Sequence, residues 1–180
     1  MVKAGDLEAS LPHMGRFLEE PRVGQSYPNH LVAELASKFV KVVLSGSGGD
    51  ELFGGYPWRY LRSLNKNSAT PFTDSYYNFW QRLVPEQSFN DLLSPVASDL
   101  GEFSARDIFA SVFPSRDAGR RSEEQQVSDC LYFEASTFLE GLLIVEDKLS
   151  MSHSLETRLP FLDNDLVDFV TKVPTRLKVD

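Results

Sequence analysis

The stretch Val40-Lys41-Val42-Val43-Leu44-Ser45-Gly46-Ser47-Gly48-Gly49-Asp50-Glu51-Leu52-Phe53-Gly54-Gly55-Tyr56 decides the fold. Its first five residues are largely β-branched and almost continuously apolar, the pattern of a buried strand in a parallel sheet, and Ser45 to Gly49 cuts it off. Upstream, Leu31, Leu35 and Phe39, with Val32 and Ala36 beside them, share one face of a helix of about three turns starting near Tyr27, where Pro28 suits the first turn. Helix, buried strand and glycine loop in this order predict an α/β architecture.

Open α/β sheets bind ligands where their strands end, which makes the loop a candidate site. Gly46, Gly48 and Gly49 let the backbone turn with positive φ and approach a ligand closely. Amides freed in such a turn cradle an anion, with phosphate the natural choice. Asp50 and Glu51 follow directly, carboxylates placed to hold Mg²⁺ against phosphate oxygens, Asp50 being the better candidate. The competing reading is a plain turn in which Asp50 caps the next helix. The loop has neither the Gly-Lys-Ser/Thr ending of a Walker A loop nor the glycine spacing of a dinucleotide fingerprint.

A second concentration of charge, Glu146 to Asp163, follows an apolar helical pattern that runs from Val127 to Val145 through Leu131, Ala135, Phe138 and Leu142. Lys148 and Arg158 are placed to neutralise charge on a transferring or leaving phosphate, while Asp147, Glu156 and Asp163 can equally pair with them structurally. Asp163 also reads as the N-cap of a last helix carrying Leu166, Phe169, Val170 and Val173 and stopping at Pro174. Between the charged stretches, Arg59, Arg62 and Lys66 predict a helix with a solvated basic face over an aromatic core of Phe72, Tyr76, Tyr77, Phe79 and Trp80. Residues 83–95 and 113–122 read as linkers.

The 180 residues carry 26 Asp and Glu against 18 Lys and Arg, a formal charge of -8 that argues against general nucleic-acid affinity. With 42% hydrophobic residues and ordinary Gly and Pro usage, the chain is globular rather than disordered or fibrous. One cysteine, Cys130, excludes an internal disulfide; a reducing cytoplasm is the expected location, and Cys130 reads as a small buried filler rather than a nucleophile. The longest apolar run, Leu139 to Val145, is broken by Glu140 and Gly141, and Met1 to Glu20 hold no apolar signal-like core, so neither a membrane span nor an export signal is expected. His13, His30 and His153 are scattered without ligand spacing, and no zinc site is predicted from them.

Val42 through Tyr56 resembles a signature of the synthetase domain of the asparagine synthetase family. Asp147-Lys148, Ser150-Met151, Ser154 to Arg158 and Pro160-Phe161-Leu162-Asp163 resemble a later signature of that family, in the right order. The resemblance spans Glu19 to Pro174 and implies a helix-rich, partial ATP-pyrophosphatase (adenine-nucleotide alpha-hydrolase-like) fold with few parallel strands. It implies an ATP-dependent ligase in which the side-chain carboxylate of aspartate attacks the α-phosphate of ATP and releases pyrophosphate. Ammonia from glutamine then displaces AMP to give asparagine.

The implied roles are ATP contact for Ser45, Gly46, Gly48 and Gly49, Mg²⁺-pyrophosphate binding for Asp50, and stabilisation of charge during adenylation for Lys148. Glu51, Asp147 and Arg158 are accessory candidates. The expected partners are small molecules, ATP, aspartate and ammonia, together with a second copy in a homodimer; nucleic acid and membrane are not among them.

Three features depart from the family. The third residue of the loop, usually acidic and tied to adenylate formation, is Ser47. Either the acceptor is not aspartate, or another acid supplies the charge, or synthetase activity is reduced. Val2, not a nucleophilic cysteine, follows Met1, no glutaminase-sized segment is present, and the family's Ser-Gly-Gly-x-Asp-Ser pyrophosphate loop is absent. The expectation is therefore an internal piece of a larger synthetase, binding ATP weakly by itself and turning nothing over. The rival readings are the same adenylate chemistry on another carboxylate, giving another amide or a lactam, a non-catalytic interaction module, and an unrelated α/β nucleotide binder.

Overall fold

The computed structural model describes residues 5–20, 25–64, 71–81, 84–85, 88–96, 104–113 and 122–179. In chain order the helices and strands are α1 (Asp6–Leu18), α2 (Ser26–Ser37), β1 (Val42–Leu44), α3 (Gly49–Phe53), α4 (Pro57–Ser63), α5 (Phe72–Trp80), α6 (Phe89–Leu93), α7 (Ala105–Ser111), α8 (Glu123–Phe133), α9 (Leu139–Met151), β2 (Glu156–Arg158) and α10 (Asn164–Thr171). They divide into two compact units, Met1–Gly55 with Glu134–Val173, and Tyr56–Phe133 with Pro174–Asp180.

The first unit holds the sheet. β1 and β2 run parallel, with Val42 opposite Glu156, Val43 opposite Thr157 and Leu44 opposite Arg158. The ladder extends past both ends, through Glu156 N–H to the Lys41 carbonyl and Ser45 N–H to the Arg158 carbonyl, each 2.9 Å. Parallel pairing needs a long crossover, so the loop after β1 and the charged block around β2 become neighbours although a hundred residues separate them.

The expected strand is present and parallel, but it is not buried. Val42 is 42% and Leu44 74% exposed, because among the described residues β2 is the single strand that flanks β1. The helix expected from Tyr27 is α2, which ends at Ser37, short of Phe39. Its inward stripe is Ser26, His30 and Ala33 at i, i+4, i+7, whereas Val32, Leu35 and Phe39 face outward. That stripe packs on α9 and α1, so the inward face is rotated away from the apolar side chains that periodicity picks out.

α9 is the central element of this unit, packing on α1, α2 and β2. Its Val145 and Leu149 close a core with Met14 and Leu18, Leu149 being fully buried. α1 lies in a stretch for which the sequence reading drew no element. Leu7, Leu11, Met14 and Leu18 recur there at helical spacing, and the last two face the core. The helix expected over 127–145 is three consecutive segments, α8, a π-helical turn Glu134–Phe138, and α9, which runs on to Met151. α10 begins as expected: the Asp163 carboxylate accepts from the N–H groups of Asp165 (3.0 Å) and Leu166 (3.4 Å).

The second unit is built on aromatic rings. Tyr60 and Tyr76, both fully buried, join Phe109, Phe113 and Phe133 around Cys130, which is the buried filler that the sequence suggested. Arg59 departs from the expected solvated basic face: its guanidinium stacks 3.7 Å above the Tyr56 ring. Arg62 is exposed as expected, and Lys66 lies outside the described residues. Residues 89–95, expected as linker, fall in α6 and a short 3₁₀ turn that runs to Val96. Most of the second expected linker, 113–122, lies outside the described residues. No helix among the described residues is long and apolar enough to cross a membrane.

Candidate active site

The loop Ser45 to Gly49 owes its shape to one glycine above the others. Gly48 sits at φ 89 as the N-cap of α3, and a Cβ there would fall 2.3 Å from Cδ2 of Leu162. The ring of Phe161 lies over Gly49 at 3.4 Å from where its Cβ would be, and meets Phe53 edge-on. Phe161 and Leu162 belong to the second charged stretch, so the two motifs quoted from the sequence are in contact. Within the loop, Gly49 N–H donates to the Gly46 carbonyl (3.1 Å) and Ser47 N–H to Ser45 Oγ (3.3 Å). Two of the amides expected to receive an anion are thus engaged inside the turn.

Ser47 carries the connection to α9. Its hydroxyl donates to Glu146 Oε2 and lies 3.2 Å from Ser45 Oγ. These groups line a cavity of about 490 Å³, bounded by α2, by the end of β1 with its loop, and by α9 through Leu142, Glu146 and Ser150. That volume lies within the range of small-molecule sites. Glu146 stands in the charged stretch but was not singled out there. The signal was available in the spacing of Leu142, Glu146 and Ser150 at i, i+4, i+8, which puts a carboxylate on the face that an apolar residue begins.

Gly46 also lines this cavity, whereas Asp50, Glu51, Asp147, Lys148 and Arg158 do not. Asp50 is exposed at the start of α3, with its carboxylate folded against Gly55, whose Cβ would lie 2.0 Å from Oδ1. An exposed oxygen donor beside the loop fits a hard cation. Glu51 is 2% exposed and faces the interior. Asp147 points to solvent. Lys148 Nζ donates to the Leu18 carbonyl (3.0 Å) and to Glu19 Oε2 (2.7 Å), so it holds the C-terminus of α1. That hydrogen bond and the lysine charge hold the Glu19 carboxyl below its ordinary range. Arg158 is exposed and pairs with Glu156 at 2.8 Å. His13, His30 and His153 do converge, contrary to what their spacing suggested, with a ligating atom of each within 4.8 Å of the others.

A parallel pair of strands among many helices, with a glycine loop at the strand end and beside it a cavity that the Glu146 carboxylate lines, is a helix-rich α/β arrangement consistent with a partial ATP-pyrophosphatase-like fold. The profile of the family described as asparagine synthase matches residues 1–180, and the chain belongs to that family. A protein of Mycobacterium bovis named putative asparagine synthetase [glutamine-hydrolyzing] is 31% identical over 99% of this chain, as is one of the same name from Mycobacterium tuberculosis. Asparagine synthetase [glutamine-hydrolyzing] 1 of Bacillus subtilis is 30% identical over 84% of the chain. The chain spans 31% of the length of the mycobacterial relatives and 28% of the Bacillus one. No solved structure matches it.

Proposed function

We propose that this chain is part of an ATP-dependent carbon–nitrogen ligase that activates the side-chain carboxylate of aspartate as an acyl-adenylate for amide formation with ammonia derived from glutamine. The observation that carries the reading is the Ser47–Glu146 hydrogen bond at the mouth of the strand-end loop. Ser47 stands where the resemblance expects an acid, and Glu146 brings a carboxylate to that point from α9. Of the three consequences drawn for Ser47, this geometry favours a second acid supplying the charge.

In this reading a carboxylate oxygen of aspartate attacks the α-phosphorus of ATP, the bond to the bridging oxygen breaks, and pyrophosphate leaves. Ammonia then attacks the acyl carbon, loses a proton, and AMP departs. The loop from Ser45 to Gly49 lies against the nucleotide, with the exposed Gly46, which has open space where a Cβ would stand, allowing the close approach. Glu146, fixed by Ser47, orients the amino-acid substrate or accepts the proton that ammonia loses. Asp50 is the residue that would hold Mg²⁺, which supplies charge neutralisation on the pyrophosphate. Lys148 acts by anchoring α1 to α9.

The test is isotope exchange of pyrophosphate into ATP by the complete gene product, with aspartate and with a panel of other carboxylates. Exchange with aspartate is expected, falling about 100-fold or more in Glu146→Gln and recovering in part in Glu146→Asp. Exchange confined to another carboxylate would move the reaction to that acceptor. No exchange with any carboxylate would overturn the reading.

A further inference from the structure

Three imidazoles brought together from distant parts of a chain are a donor set in their own right. His13 comes from the middle of α1, His30 from the inward stripe of α2, and His153 from the turn that ends α9. The ring centroids are 5.0, 5.1 and 4.9 Å apart, a nearly equilateral triangle. One ligating atom from each ring lies within 4.8 Å of the other two, and His153 Nε2 is 3.1 Å from His30 Nδ1.

We propose that His13, His30 and His153 bind one divalent transition-metal ion of the zinc class. Zinc–imidazole bonds of about 2.1 Å at tetrahedral angles place the ligand nitrogens roughly 3.4 Å apart. The His30–His153 edge, at 3.1 Å, is already close to that length, with the metal taking the place of the hydrogen bond. His13, which now touches Ser152 Oγ at 3.1 Å, completes the face by turning its ring through part of the remaining gap.

The chemistry of the pocket agrees with the geometry. Burial, and then the neighbouring imidazoles, hold the pKa values of His30 and His153 below the ordinary histidine range, which favours the neutral form that ligates metals. Glu34 stands one turn after His30 on α2, close enough for its charge to act on both His30 and His153, and offers a counter-charge to a dication. Lys38 pairs with that glutamate at 2.9 Å. Three nitrogen donors select Zn²⁺, Co²⁺, Ni²⁺ or Cu²⁺ over Mg²⁺ and Ca²⁺, which take oxygen ligands. The site is therefore chemically separate from the Mg²⁺ expected at Asp50. An ion there ties α1 and α2 to the end of α9, the helix that carries Glu146, and leaves a fourth coordination position for water.

The experiment uses the complete, untagged gene product, freed of metal with a chelator and titrated with Zn²⁺ by calorimetry and with Co²⁺ by visible absorption. One Zn²⁺ per chain, visible bands of four- or five-coordinate Co²⁺, and a higher Tm with Zn²⁺ are expected. His30→Gln and His153→Gln, each checked for folding by circular dichroism, should weaken Zn²⁺ binding about 10-fold or more. Failure of the folded wild-type chain to take up Zn²⁺ stoichiometrically overturns the proposal without recourse to variants. So does uptake that is unchanged in a folded His30→Gln/His153→Gln double variant.

Discussion

Two positions in the strand-end loop act in opposite ways. Gly48 is required by geometry: at φ 89 an L side chain is strained, and Leu162 fills the space a Cβ would take. Gly48→Ala should therefore lower stability by about 2 kcal/mol in urea unfolding, and an unchanged midpoint would show that the loop and Leu162 yield freely. Ser47, by contrast, is required by nothing local. A hydroxyl fits the turn, and its significance comes from the carboxylate it meets. The glycines could be read from composition because backbone freedom is a property of the residue itself. For Glu146 the spacing along the helix gives its face, but not its partner, which lies 99 positions away.

Elements differ in how far their neighbours decide them. α10 starts where Asp163 says it should, since a cap is satisfied by amides two and three residues on. Asp163→Ala should cost about 1 kcal/mol, seen as a lower urea midpoint with little change in the circular dichroism of the folded chain. α2 shows the reverse. Its existence follows from local pattern, but the side it buries was set by contact with α1 and α9, so His30 and Ala33 face inward while Leu35 faces out. β1 likewise has the residues of a covered strand and the exposure of an edge. The π turn at Glu134–Phe138 has no signal in the apolar spacing, which runs through it as though the helix were regular.

At the scale of the whole molecule, two cores share the work. One is aliphatic, closed by Leu149 against Met14, Leu18 and Val145, and it supports the helix that carries Glu146. Leu149→Ala should destabilise that unit by about 2–5 kcal/mol, measured by denaturant unfolding, because a fully buried side chain leaves a cavity. The other is the aromatic cluster around Tyr76. Sequence alone determined the α/β class, the glycine loop, the Asp163 cap and the aromatic composition of the second core, all of which rest on properties of one residue or of near neighbours. Only the tertiary structure decided that Phe161 and Leu162 press on the loop, that Glu146 meets Ser47, that β1 is exposed, and that three histidines spread over 140 positions meet within 4.8 Å. These outcomes depend on which elements pack together, and packing is a relation between distant segments that neither spacing nor periodicity along the chain encodes.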